Sequence, residues 1–135
     1  MIITESHDAD LIEAIILDCG IPCYDDFNVR SWLSDQYNVA LTNGTDFALF
    51  EWVPGTRSFI GHYMFSSRGK EAFTAARTFL MVMFAVYGAD LLLGVVPVDR
   101  RDVSIFTRKL GFTFEGVSDT LVGKSNIFTM SRNNV

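Results

Sequence analysis

The sequence predicts a mixed α/β fold, with a single, mostly antiparallel sheet that holds a central parallel pair and is flanked by helices. Three observations carry this expectation. Periodicity and punctuation give the element order β-α-α-β-β-β-α-β-α-β-β. The turn dipeptides Asn43-Gly44 and Pro54-Gly55 join adjacent strands directly, so the middle of the chain reads as an antiparallel meander. A long apolar helix then separates two apolar strands, and such a crossover makes that pair of strands parallel. The 135 residues are expected to form one domain.

Met1–Glu5 can open as a strand. Asp8–Asp18 places Leu11, Ile12, Ala14, Ile15 and Ile16 at helical spacing, with Ser6 or Asp8 to cap its start and Gly20 and Pro22 to stop it. A short helix over Asn28–Gln36 turns Val29 and Trp32 inward. Strands follow over Asn38–Thr42, Asp46–Val53 and Arg57–Phe65. In the last of these neither alternate set is polar, which predicts cover on both faces and a central place in the sheet. Gly61 within it predicts a bulge or a close backbone approach. The longest helix runs over Lys70–Tyr87, with Lys70, Glu71, Thr74, Arg77 and Thr78 on one narrow stripe and Gly88 as its stop. Leu91–Val96 is a continuous apolar run typical of a strand buried on both sides. Arg101–Leu110 is an amphipathic helix with Val103, Phe106 and Leu110 inward, stopped by Gly111. Strands over Phe112–Val117 and Ser125–Arg132, joined by a polar loop, complete the chain.

Composition excludes several classes. Apolar residues make up 49% and charged residues 20%, with a mean hydropathy of +0.23, which is unlike a disordered chain. A net charge of −5 and a pI near 4.8 argue against a nucleic-acid partner. The best membrane candidate, Ala72–Val86, is interrupted by Arg77 and Thr78 and falls short of the ~18 residues of a span. Met1–Glu5 does not read as a signal peptide, and two cysteines make no disulfide framework, so a cytoplasmic location is expected. Cys19 and Cys23 have no second ligand pair beside them, so no metal is expected and free thiols are. The many Phe residues would permit a buried homodimer face, although no specific patch stands out.

Two junctions carry the candidate chemistry. At Phe65-Ser66-Ser67-Arg68-Gly69-Lys70-Glu71-Ala72 a central strand turns into the start of the long helix. The first amides of a helix lack internal partners, so such a turn offers an anion site. At Pro97-Val98-Asp99-Arg100-Arg101 the next strand turns into the next helix. Arg68, Lys70, Arg100, Arg101, Arg108 and Lys109 are six of the eleven cations of an acidic chain. If the two strands are neighbours, at least four of the six gather at one sheet edge, as neutralising a polyphosphate would require.

These junctions, in this element order, resemble the GNAT superfamily of acyl-CoA-dependent N-acetyltransferases. The resemblance spans nearly the whole chain by topology and is strongest in motif from Gly61 to Gly116. In that family the turn after the fourth strand carries Q/R-x-x-G-x-G/A around the pyrophosphate of coenzyme A, and the helix after the fifth strand ends near Tyr-x-x-x-Gly-Phe. Lys109-Leu110-Gly111-Phe112 followed by Phe114-Glu115-Gly116 matches that ending. Gly61-His62-Tyr63-Met64-Phe65 with Arg68-Gly69-Lys70-Glu71-Ala72 also looks like small GNAT-like proteins of tailed bacteriophages. The resemblance implies acetyl-CoA or CoA as cofactor, held by Phe65, Ser66, Ser67, Arg68, Gly69, Lys70, Glu71 and Ala72 with Arg100 and Arg101. It implies an amine, small-molecule or protein, as acceptor. The narrower phage likeness implies a location in the host cytoplasm or the virion.

The sequence also departs from the family pattern. Ser66 stands at the first loop position and Glu71 at the last, where a carboxylate would repel a pyrophosphate unless a one-residue shift places Ala72 there. Thr107 stands where many members carry a Tyr that protonates the leaving thiolate, and a threonine hydroxyl is too weak an acid for that role. Arg100 stands where an Asn is often found. If the chain is active, an amine attacks the thioester carbonyl. His62 or Glu51 is then the candidate base, and Tyr63 the nearest candidate acid, on the face opposite His62. The same residues fit plainer roles: His62 a hydrogen-bonded core histidine, Glu51 a solvent-facing carboxylate, the Arg68–Lys70 cations a solvated helix start. The alternative to an enzyme is therefore a GNAT-fold protein without turnover, an interaction or assembly component of a phage particle.

Overall fold

The structure is a computed structural model that describes residues 2–19, 28–65, 67–121 and 123–134. Its elements are β1 (Thr4–Glu5), α1 (Ala9–Cys19), α2 (Val29–Ser34), β2 (Val39–Thr42), β3 (Phe47–Trp52), β4 (Ser58–Met64), α3 (Gly69–Ala85), β5 (Leu91–Pro97), α4 (Arg101–Leu110), β6 (Thr113–Thr120) and β7 (Gly123–Ser131), with a 3-10 turn at Arg132–Asn134. They build one seven-stranded sheet in the order β1-β2-β3-β4-β5-β7-β6. All neighbours run antiparallel except β4 and β5, the pair joined through α3. The expected Met1 end of the first strand, the Gly20 and Pro22 stop, Cys23 and Ser66 lie outside the described residues.

Local chemistry sets the helix ends. Leu11 N donates to Asp8 Oδ1 at 3.1 Å and Ser31 N to Asn28 Oδ1 at 3.0 Å, each supplying an acceptor for an orphan amide. Gly111 closes α4 at φ 109°, a left-handed position that costs glycine little. The long helix ends two residues before the expected Tyr87, at Ala85, and its exposed stripe is longer than its polar residues suggest. Lys70, Glu71, Thr74 and Arg77 continue into Met81, 53% exposed, and Ala85. Apolar residues thus complete the solvent face, so the helix is less buried than its composition implies.

The sheet has two covered faces. On one, Leu41, Ala48, Phe50, Phe59, Leu92, Val96 and Phe128 pack against Ala75, Ala76, Phe79, Leu80 and Met83 of α3 and Leu110 of α4. On the other, Ala40, Phe47, Leu49 and Met64 pack against Ile12, Ile16, Val29 and Trp32 of α1 and α2. The strands in this second core are β2, β3 and β4. Hence β5 is buried on one face only, through Leu92 and Val96, while Leu93 and Val95 stay half-exposed, contrary to the expectation from its apolar run. Gly61 makes no bulge: it pairs in unbroken register with Phe50, and a Cβ there would come within 3.2 Å of Phe50 Cε1. The close approach is that of a ring. The polar segment expected to be a loop before Ser125 is instead strand, with Asp119 opposite Lys124 and Ser118 opposite Ser125. An edge hairpin with few buried positions has no apolar alternation for the eye to find.

Candidate active site

The parallel pair is only half formed. Ser58, Phe59 and Ile60 pair with Leu91, Leu92 and Leu93, and pairing stops there. Beyond that point β4 remains with β3 as far as Met64 opposite Phe47. β5 remains with β7 as far as Pro97 opposite Ser125. Each strand follows its other partner, and a fork opens with Gly61 and Gly94 as its first residues. Amides on the fork side of β4 are left without a strand partner, which in a folded sheet marks a place for something else to bond. The cleft has a volume of about 830 Å³, and its walls come from α1, β4, β5, the start of α3 and α4.

The mouth is built by the two strand-to-helix junctions. Gly69 opens α3 at φ +60°, and the preceding Arg68 provides no side-chain cap. The leading amides of this 17-residue helix are therefore free of side-chain acceptors and carry the positive end of its dipole. Two other donors of the turn are already engaged. Ser67 N and Oγ donate to Asp46 Oδ1 and Oδ2 at 2.9 and 2.8 Å, and Asp46 is 1% exposed. Arg68 Nη1 donates to Phe65 O and Ser67 O at 3.0 and 2.9 Å, so the guanidinium folds back on its own turn. Across the mouth, Arg100 Nε lies 3.5 Å from Asp102 Oδ1.

His62, Phe65, Ser67, Arg68, Gly69, Ala72 and Arg100 all line the cleft, whereas Glu51, Lys70, Glu71 and Arg101 do not. Glu71 is exposed and Ala72 is buried, so the carboxylate points away from the wall that Ala72 forms. Arg68, Lys70, Arg100 and Arg101 sit at the mouth end of the sheet. Arg108 and Lys109 sit at the far end of α4, with Arg108 over the Phe114 ring at 5.1 Å.

His62 shares a sheet face with Glu51, since it pairs with Leu49 while Glu51 pairs with Ile60. Burial holds the imidazole below its ordinary pKa, with the negative charge of Glu51 pulling weakly the other way. Glu51 Oε1 accepts from Trp32 Nε1 at 3.3 Å, so Glu51 stands behind the histidine rather than in the cleft. Tyr63 is on the opposite face, stacked on Phe65 at 5.6 Å and edge-on to Phe50 at 6.1 Å. Thr107, next to Phe106 on α4, is buried with Oγ1 donating to Val103 O at 2.8 Å.

Asp18, Asp46, Gly94 and Phe106 belong to the site or its frame, and sequence reading passes over them. Asp46 reads as turn chemistry after Asn43-Gly44, because its partner Ser67 lies 21 positions on. Gly94 offered a signal, as a glycine inside an otherwise continuous apolar strand. Among the described residues no helix is long and apolar enough to cross a membrane, and no three His, Cys, Asp or Glu side chains converge as a metal site.

No protein-family model matches the sequence, and no curated protein matches it. Solved structures do match in shape. A chimera of Vibrio cholerae spermidine N-acetyltransferase SpeG and hSSAT superposes with TM-score 0.76 at 11% identity, over 98% of both chains. The dodecameric Vibrio cholerae spermidine N-acetyltransferase gives 0.75 at 12% identity, over 98% of this chain and 94% of that one. Mycobacterium smegmatis RimJ in complex with CoA-disulfide gives 0.71 at 12% identity, over 98% and 82%.

The fold is that of the GNAT acetyltransferases. At these identities the likeness is one of backbone. It covers 98% of this chain, and so includes the elements that build the cleft.

Proposed function

We propose that the chain is an acyl-CoA-dependent N-acyltransferase that transfers an acetyl group to an amine. The observation that carries this reading is the fork between β4 and β5, which ends at the uncapped start of α3. The residues present fit coenzyme A on three counts. The leading amides of α3 meet a pyrophosphate, Arg68 and Arg100 flank it, and Glu71 faces away. A bound acyl-CoA supplies an activated thioester carbonyl. Transfer would form a carbon–nitrogen bond to the amine and break the carbon–sulfur bond, CoA leaving with the electron pair as its thiolate, and the proton lost by the amine must be taken up.

His62 suits that uptake. Its lowered pKa keeps it neutral at neutral pH, ready to accept a proton. Ile15 and Asp18 line the cleft from the α1 side, and with Glu51 beside His62 this side favours a cationic amine. Unpaired amides of β4 polarise the carbonyl.

Acetyl-CoA tests the reading. At a hundredfold excess over Kd a ligand of the native state adds about 2.7 kcal/mol, a rise of roughly 10 °C in melting temperature for a chain of this size. Acetyl transfer to a panel of polyamines and peptide amines is expected alongside it. A second reading, a CoA-binding GNAT-fold interaction protein without turnover, draws support from Thr107, whose hydroxyl is bonded within α4. A melting shift with no product from any amine favours that reading, and no shift at all sinks both.

A further inference from the structure

The apex of the cleft holds one polar group that its surroundings leave unanswered. Tyr63 Oη is shielded from water and has no hydrogen-bond partner among the described residues. A buried phenol that donates to nothing is unusual, because its desolvation is uncompensated. The rest of Tyr63 is well accommodated: its ring stacks on Phe65 and meets Phe50 edge-on, which fixes where the hydroxyl points. That point lies beside Gly61, at the inner end of the fork. Tyr63 Oη lies 3.7 Å from the position a Cβ on Gly61 would take, and Gly61 is the first residue of β4 beyond the last pair with β5. Tyr63, Gly61 and Gly94 all line the same cleft.

The position along the cleft matters. From Phe65 at the mouth to Gly61 at the apex, four strand residues span about 13 Å. A ligand whose anionic end rests on the start of α3 therefore presents its opposite end to the hydroxyl. We infer that the Tyr63 hydroxyl is a hydrogen-bond donor to the acyl carbonyl oxygen of a bound acyl-CoA, a second donor beside the β4 amides. This rests on the acyltransferase reading above and assigns a specific residue within it. The carbonyl oxygen is the partner rather than the sulfur, which is a weak acceptor. Burial pushes the phenol above its ordinary pKa, so it remains a donor throughout the working pH range and does not give up its proton. Tyr63 accordingly polarises the carbonyl without replacing the absent acid at Thr107.

Tyr63→Phe removes only the oxygen and keeps both ring contacts. The unliganded variant is expected to melt no lower than the wild type, since an unsatisfied buried group has been removed. Calorimetry should show acetyl-CoA binding weakened about threefold to tenfold, the loss of one hydrogen bond, with affinity for CoA, which has no acyl group, unchanged. Equal acetyl-CoA affinity in variant and wild type overturns the inference alone. So does an equal weakening for both ligands together with a lower unliganded melting temperature, which makes the hydroxyl structural. Failure of the wild type to bind either ligand overturns the acyltransferase reading and this inference with it.

Discussion

The two strand-to-helix junctions at the mouth of the cleft have the same place in the topology and opposite construction. The β4–α3 turn is tied from within. Buried Asp46 holds Ser67 by two bonds, and Arg68 is folded onto the carbonyls of Phe65 and Ser67. The β5–α4 turn is held mainly by backbone, with Arg100 N donating to Pro97 O at 2.9 Å and Val98 N to Lys124 O at 3.1 Å, beside the exposed Arg100–Asp102 pair. Its side chains are exposed. One junction thus spends donors on its own shape and leaves a preorganised set of helix amides. The other keeps its cation exposed, engaged with its neighbour Asp102. Rigid amides on one side and an exposed cation on the other is a reasonable division of labour for gripping a flexible polyanion.

Removing the internal tie should have the largest effect. Asp46→Ala takes from the amide and hydroxyl of half-buried Ser67 their carboxylate acceptor, a loss of about 3 kcal/mol for two hydrogen bonds to a charged group. The melting temperature should fall by roughly 10 °C, and the acetyl-CoA shift should shrink as the turn loses its shape. If Asp46→Ala melts with the wild type, the turn is held by something other than this carboxylate.

Arg100→Ala should give the reverse pattern. Its link to Asp102 is an exposed pair two residues away, worth well under 1 kcal/mol, so melting of the unliganded protein should barely change. Affinity for CoA should drop about fivefold, the order of one charge-assisted contact to phosphate. A drop in stability without a drop in affinity would mean that the two junctions are not built differently.

These differences explain what the sequence could and could not disclose. The topology was legible because each piece is local. Asn43-Gly44 turns back a strand, Gly111 ends α4, and the spacing of Ala72, Ala75, Ala76 and Phe79 is that of a helix face. The location of the cleft was legible too, since Gly69 and the paired basic residues sit beside apolar strands. The tie to Asp46 was not, because a carboxylate next to a turn dipeptide looks solvated until the chain 21 positions later is folded against it. Nor did the run Leu91–Val96 reveal that one of its faces is open. Hydrophobicity reports what a strand can tolerate, whereas its cover depends on where α1 and α2 stop. Glu71 and Ala72 show the same limit at one residue's scale. Adjacent on a helix, they point about 100° apart, and only the helix's orientation decides which one forms the wall.

Arg68 supplies a smaller test. With its guanidinium spent on Phe65 O and Ser67 O, Arg68→Ala should lower stability by about 1 kcal/mol, two exposed hydrogen bonds at modest value. It should also weaken CoA less than Arg100→Ala does. Equal losses of affinity would show that Arg68 leaves its turn to meet the ligand.

The smallest effect lies at the inner end of the cleft and reads as a slope. Burial disfavours the imidazolium of His62 in the native state, with Glu51 opposing weakly. Well above pH 6.5, the ordinary pKa of histidine, native and unfolded chains are both unprotonated there and the residue contributes no pH dependence. As pH falls below that value the unfolded chain takes up the proton first, so stability declines until the native pKa is reached. Melting temperature plotted from about pH 7.5 to 5 should therefore fall more steeply for the wild type than for His62→Gln. Glu51→Gln keeps an acceptor for Trp32 but removes the opposing charge. It should lower the native pKa further, steepen the decline, and move the acid limb of acetyl transfer to lower pH. If Glu51→Gln instead flattens the curve, the carboxylate and not the imidazole dominates this end of the cleft, and His62 is not the base.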